Sequence, residues 1–229
     1  MLSTLYDKEI LPTIIYNNYR SFLEIGVETG NLTKKLLPLI KHVNGKLISI
    51  DPCPAISRPL DWLFIMTPRA RLIRKTSLEV LPKLVHRREQ FDCIIIDGDH
   101  NWYTVYNELS YVNELLTEKG AIYLHDVSWP YARRDMYYAP ERIPAEFRHP
   151  YALKGMIEGQ SELSESNGRN SRLANAVFEG GPRNGVLTAI EDFMKHEEGV
   201  WDLSIKTENY GLGRFVRKSS PHWWFHNEA

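Results

Sequence analysis

Cysteine is almost missing: Cys53 and Cys93 are the only two in 229 residues. A disulfide framework is therefore not supported. Excess charge of one sign is equally scarce, since 28 Lys and Arg against 29 Asp and Glu leave a net charge of -1. Such a chain has no long-range field to draw in a phosphate backbone, so nucleic acid is not expected as its main partner. Apolar runs stay short, and no uncharged stretch is long enough to span a bilayer. The opening residues Met1 to Glu9 lack the basic start and apolar run of a secretory signal. These absences lead to the expectation of a reduced, cytoplasmic setting with no membrane partner.

What is present suits one globular domain. A hydrophobic share of 43% supplies a substantial core. After an opening helix over residues 1–20, interrupted by Pro12, short apolar runs alternate with helix-length segments. Strands are predicted over Ser21 to Ile25, Lys46 to Ile50, Ala70 to Arg74, Phe91 to Ile96 and Ala121 to Leu124. Thr76-Ser77-Leu78-Glu79 is a capping box opening a helix with Leu78, Leu81, Leu84 and Val85 on one face. A second helix carries Trp102, Val105, Leu109, Val112 and Leu116 at spacings of three and four. The alternation predicts an α/β fold of the Rossmann-like, doubly wound type, mostly parallel, with right-handed crossovers. The uninterrupted Ile94-Ile95-Ile96 then reads as a central strand buried on both faces.

The cofactor-binding core should therefore span 21–126. From 127 to 184 the pattern dissolves into Pro, Tyr, Arg and Gly, as in Ser128-Trp129-Pro130-Tyr131-Ala132-Arg133-Arg134. This stretch is read as a lid or substrate insertion over the active face, with the polar Ser161 to Arg172 mobile. A helix near Gly185 to His196 and two runs, Trp201 to Lys206 and Gly211 to Arg217, complete the domain over 185–218. The two runs predict an antiparallel edge hairpin and a seven-stranded sheet. The aromatic tail over 219–229, with Trp223, Trp224 and Phe225, is expected to pack on the body or on a neighbouring subunit. Lid and tail could both serve a homodimer.

In an open parallel sheet, ligands sit beyond the carboxyl ends of the strands. Those ends read Glu24-Ile25-Gly26-Val27-Glu28-Thr29-Gly30, Ile50-Asp51, Thr76-Ser77, Asp97-Gly98-Asp99-His100 and His125-Asp126. Gly26 and Gly30 allow a tight turn and close approach of backbone to a ligand, or serve the strand-to-helix turn alone. Asp51 stands where a ribose diol would be held. The loop lacks the G-x-G-x-x-G spacing that carries a pyrophosphate, which favours a nucleoside without one and weighs against a nicotinamide-dependent reductase.

The run of Leu23-Glu24-Ile25-Gly26 to Gly30, Leu47 to Asp51, Thr76 to Pro82, Ile96-Asp97 and Leu124-His125-Asp126 resembles a class I S-adenosylmethionine-dependent methyltransferase. It is most similar to small-molecule O-methyltransferases, including the catechol type and the metal-dependent sugar and macrolide enzymes. The likeness covers roughly Ser21 to Val127. It implies that Glu24, Gly26, Glu28, Gly30 and Asp97 line the methionine and ribose part of S-adenosylmethionine, that Asp51 holds the diol, and that Thr76, Ser77 and Leu78 flank the adenine. It also implies a divalent cation (Mg, Mn or Fe) on Asp97, His125 and Asp126. His125 stands where relatives have a carboxylate, so the set favours a transition ion over magnesium, or the site is metal-free and His125 supports it.

His100 falls where the resembling enzymes carry a catalytic base, and an imidazole suits that task near neutral pH. Asp97 shares the catalytic position, whereas Asp99 reads as the helix N-cap. Arg133, Arg134, Tyr137 and Tyr138 form a basic aromatic cluster that would recognise an anionic or sugar-bearing small molecule, or pair internally. The expected activity is methyl transfer to a small-molecule hydroxyl, on a sugar or glycosylated natural product. The alternatives are a reductase on a related sheet and a non-catalytic binding or assembly protein.

Overall fold

The computed structural model describes residues 2–218. Its centre is a seven-stranded sheet in the order β3-β2-β1-β4-β5-β10-β9. The strands are β1 Ser21–Ile25, β2 Lys46–Ile50, β3 Ala70–Ile73, β4 Phe91–Ile96, β5 Leu116–His125, β9 Trp201–Lys206 and β10 Leu212–Arg217. β1 to β5 are mutually parallel where they pair, and β10 runs antiparallel to both β5 and β9. Between them lie α3 Thr33–His42, α4 Arg58–Met66, α5 Ser77–His86, α6 Trp102–Leu115 and α7 Val186–His196, preceded by α1 Leu2–Leu5 and α2 Leu11–Asn17.

Side-chain alternation along the strands builds two cores. Leu23, Ile25, Ile94, Ile96 and Ile122 pack with Leu81 of α5, Leu109 of α6 and Ile190 of α7. Phe22, Cys93, Ile95 and Tyr123 face the other way, against Ile14 of α2, Leu36 of α3 and Leu60 of α4. A strand covered on both sides has no polar face, which is why β4 reads as an unbroken apolar run.

Several boundaries differ from the expectations. Pro12 falls in the first turn of α2, after a wide π turn over Tyr6–Ile10, where its missing N–H costs little. β3 stops at Ile73, and β5 begins at Leu116, so Leu116 belongs to the strand and not to the helical stripe. The N-cap of α6 is Asn101, whose Oδ1 accepts from the Thr104 N–H at 2.9 Å, and not Asp99. The Thr76 capping box of α5 is as predicted.

The stretch over 127–184 is ordered rather than patternless. It carries a three-stranded antiparallel sheet, β6 Met136–Tyr137, β8 Ala174–Ala176 and β7 Tyr151–Ala152, with β8 in the middle. Within 161–172, the backbone of Arg169 bonds that of Met156 in both directions, at 2.8 and 3.0 Å. The aromatic tail lies outside the described residues. Among the described residues no helix is long and apolar enough to cross a membrane. Cys93 is buried and Cys53 exposed, both as free thiols.

Candidate active site

The carboxyl ends of β1 and β2 are tied together by one carboxylate. Oδ2 of Asp51 accepts from the N–H groups of Val27 and Glu28, each at 2.9 Å, and Oδ1 accepts from Cys53 at 2.8 Å. Oδ2 is thereby saturated, while Oδ1, with one donor, keeps a further lone pair for a ligand hydroxyl. Gly26 has φ +89°, and a Cβ there would lie 2.1 Å from the Asp97 carbonyl oxygen. Glycine is thus required where β1 and β4 leave the sheet side by side. Gly30, at φ +76°, meets Leu60 of α4 in the same way, at 2.2 Å, and Glu28 sits in the left-handed region between them.

Glu24 is fully buried and faces the protein. Its oxygens accept from Thr33 at 2.8 Å and from Ser49 at 2.5 Å. Burial pushes its carboxyl up to about 7 against the lowering effect of those hydroxyls. Thr76 and Ser77 open α5, with Leu78 behind them, and Ser77 is largely covered. Glu108 of α6 lies buried beside Ser77, its carboxyl raised to about 8, chiefly by burial.

At the ends of β4 and β5 four of the predicted residues meet. Oδ2 of Asp126 lies 2.8 Å from Nε2 of His100 and 3.0 Å from Nδ1 of His125, which is also 2.9 Å from Oδ1 of Asp97. Nε2 of His125 donates to the carbonyl of Asn209 at 2.9 Å, so this nitrogen carries a hydrogen whatever the state of the ring. Burial disfavours charge on His125, but hydrogen bonds and charge from Asp126 and Asp97 outweigh it and raise the imidazole to about 10. Burial likewise opposes a charged His100, and Asp126, Asp97 and Asp99 reverse it, so His100 is raised. Burial alone would raise Asp126, yet His100 and His125 hold it well below the usual carboxylate range.

Nδ1 of His100 is buried without a partner among the described residues. The ring of Tyr131 lies 4.7 Å away and that of Tyr138 5.9 Å away. Asp99 accepts from the His100 N–H at 3.0 Å and from the Thr104 hydroxyl at 3.0 Å. Asp97, His100 and Asp126 each bring one donor atom within 4.8 Å of the others, an arrangement able to hold a metal ion. His125 adds a nitrogen whose tautomer is set by a backbone carbonyl, the usual outer support of a metal-bound imidazole. This mixed oxygen and nitrogen set fits a divalent cation.

The arginine and tyrosine cluster is divided. Arg134 is fully buried and donates to the carbonyls of Ala176 at 2.6 Å and Ser161 at 2.7 Å. Arg133 pairs with Glu191 on the surface. Tyr137 is buried and donates to Asp135 at 2.8 Å. Arg134 and Tyr137 are engaged inside the protein and Arg133 in a surface ion pair, leaving Tyr138 as the member that borders His100.

Sequence reasoning missed the residues that roof the site. Tyr210, in the turn between β9 and β10, sets its ring edge-on to His125 at 6.4 Å. Asn170 donates to the Tyr131 hydroxyl, and Arg169 donates to that of Tyr210. The position of Tyr210 follows from topology, since a hairpin antiparallel to β5 returns its turn to the carboxyl end of that strand. No local pattern marks Arg169 or Asn170. A cleft lined by Arg20, Lys46, Arg69 and Arg71 opens at the opposite, amino end of the strands.

Residues 23–127 match the model of a family described as a methyltransferase domain. Among solved structures, the chain is similar to the S-adenosylhomocysteine-bound methyltransferase PaMTH1 of Podospora anserina, at 16% identity and TM-score 0.55, covering 91% of this chain and 76% of that one. It is also similar to MycE of the mycinamycin biosynthetic pathway, in complex with Mg, SAH and mycinamycin VI. That match has 16% identity and TM-score 0.56, over 96% of this chain and 52% of MycE. A Staphylococcus aureus protein put forward as a caffeoyl-CoA O-methyltransferase is 13% identical, with TM-score 0.53 over 92% and 82% of the two chains. At these identities the likeness is one of fold. The comparison with curated proteins finds no match.

Proposed function

We propose that this chain, whose residues 23–127 match a methyltransferase-domain model, transfers the methyl group of S-adenosylmethionine to a hydroxyl of a small molecule. The acceptor in this reading is a sugar or a glycosylated natural product. The likeness to MycE, bound to mycinamycin VI, supports that choice.

The observation that carries the proposal is the state of His100. One ring nitrogen is held by Asp126 at 2.8 Å while the other is buried and unspent, beside the strand ends that form the cofactor cradle. The sulfonium methyl is already activated, so the protein has to align an acceptor oxygen and manage its proton. Nδ1 of His100 accepts that proton, and Asp126 orients the ring and stabilises the imidazolium that forms. Tyr131 and Tyr138 border the place where the acceptor ring would lie.

A divalent cation is the second part of the proposal. Asp97 and Asp126 would hold it, with His125 as nitrogen ligand, and when bound it would lower the pKa of an acceptor hydroxyl. Without it, the neighbouring carboxylates raise the imidazole of His100 and favour its protonated form.

Calorimetry with S-adenosylhomocysteine and with NADH tests the cofactor. Tight binding of the first and none of the second is expected, and the reverse overturns the proposal. Methyl transfer to a panel of hydroxylated acceptors tests the reaction, and binding without any turnover would identify a non-catalytic protein. His100→Gln should lower kcat by about 100-fold or more with cofactor affinity unchanged. Elemental analysis and a chelator decide the cation.

A further inference from the structure

We infer that Arg169 is the residue that selects the acceptor, by binding a carboxylate on it at the mouth of the active site. The inference rests on the methyl-transfer reading for the word acceptor, but the recognition itself follows from the surroundings of Arg169. Its guanidinium carbon lies 5.6 Å from the Trp129 ring and 5.2 Å from the Tyr210 ring. Stacking on aromatic faces positions a guanidinium without consuming the donors along its edge. The Tyr210 hydroxyl takes one of those donors. Among the described residues no carboxylate lies within ion-pair distance of Arg169, in contrast to Arg133, which pairs with Glu191, and Arg134, which pairs with Glu179.

The position is built rather than incidental. Arg169 is fixed to Met156 by a two-way backbone bridge, and this crossing is so close that a Cβ on Gly155 would lie 2.2 Å from the Asn167 carbonyl oxygen. Gly168, the residue before Arg169, is at φ +107° with backbone at 2.8 Å from where its Cβ would be. The loop therefore presents Arg169 in one place. Its neighbour Asn170 bonds the Tyr131 hydroxyl, and the Tyr131 ring packs against His100. An exposed cation with unspent donors, linked in this way to the proposed base, suits a planar carboxylate on a molecule whose hydroxyl reaches Nδ1 of His100.

The test is calorimetric binding of two matched pairs, catechol with 3,4-dihydroxybenzoate and methyl glucoside with glucuronate, to the protein with and without S-adenosylhomocysteine. The carboxylate member of at least one pair should bind about tenfold or more tightly, as expected of a charge-assisted hydrogen bond. Arg169→Gln should abolish that preference, and Arg169→Lys, which keeps the charge but loses the fork, should retain part of it. Affinity for S-adenosylhomocysteine should not change in either variant. Equal binding within both pairs, no binding of any member, or a preference that survives Arg169→Gln would overturn the inference. Failure of S-adenosylhomocysteine to bind would sink the methyl-transfer reading instead, while the carboxylate preference of the free protein would still decide the role of Arg169.

Discussion

Deprotonating His125 should cost the protein much of its stability, and the structure sets both the window and the size. The ring is wedged between Asp97 and Asp126, at 2.9 and 3.0 Å from Nδ1, and its other nitrogen donates to Asn209. The imidazole is therefore raised from 6.5 to about 10 in the folded chain. For a raised imidazole the stabilisation is complete below the unfolded pKa and is lost as pH climbs through the folded one, here from about 6.5 to about 10. At roughly 1.4 kcal/mol per pH unit, the full effect is on the order of 5 kcal/mol. The same contacts depress Asp126, so the pair is counted once. Against a domain stability of about 5–15 kcal/mol this is a large share.

The measurement is urea denaturation of the wild type and of His125→Gln, at pH 6 and at pH 9.5, with chelator present to keep cations out. Other groups titrate over the same range, and the difference between the two proteins removes them. At pH 6 the wild type should be more stable by about 4 kcal/mol, and at pH 9.5 by about 1 kcal/mol. A gap of equal size at both values would mean that folding leaves the His125 pKa unshifted, and the ion-pair reading of this cluster would be wrong.

In cation-free protein, kcat/KM should rise with pH along a limb whose pKa lies above 6.5, because the carboxylates around His100 favour its protonated form. A limb at or below 6.5, or one that persists in His100→Gln, would contradict the base assignment. Gly26→Ala should destabilise by about 2–4 kcal/mol and weaken S-adenosylhomocysteine binding, since its Cβ would fall 2.1 Å from the Asp97 carbonyl oxygen. Wild-type denaturation and calorimetry for this variant would contradict the close approach. Arg134→Met should cost roughly 3–5 kcal/mol by stranding the carbonyls of Ala176 and Ser161 and the carboxylate of Glu179. Arg133→Ala, on the surface, should cost no more than about 1 kcal/mol in the same assay.

Much of this architecture is legible in the sequence because parallel strands leave a strong trace. β1, β2 and β4 begin and end where the apolar runs do, and β10 differs by one residue. The start of α6 was misread because Asp99 and Asn101 are both good caps, and only the direction of the side chain decides between them. The meeting of Asp97, His100, His125 and Asp126 was legible at the strand ends, where topology brings them together. The insertion was not, because its strands are two or three residues long and carry no period. Its core is polar as well. Arg134, Asp135, Asn175 and Asn184 are each at most 2% exposed, and hydropathy reads such residues as surface.

That polar core also explains how a segment without pattern can hold the proposed base in place. Oδ1 of Asp135 accepts from the Trp102 N–H at 2.7 Å and from the Gly185 N–H at 2.7 Å, so one oxygen ties the first turn of α6 to the start of α7. Oδ2 takes the Tyr137 hydroxyl at 2.8 Å. Next to it in sequence, Met136 donates its N–H to the carbonyl of His100 at 3.1 Å, so the backbone of the proposed base is itself held by β6. One buried carboxylate thus ties the insertion to the core, at Trp102, two residues from His100, and at Gly185. Its inner end is bound to the backbone of His100, while its outer loop carries Arg169 and Asn170. A change of acceptor can accordingly be written in the outer loop without moving His100. Buried polar contacts at the inner end, rather than apolar ones, make that separation possible, because each hydrogen bond admits one partner at one distance.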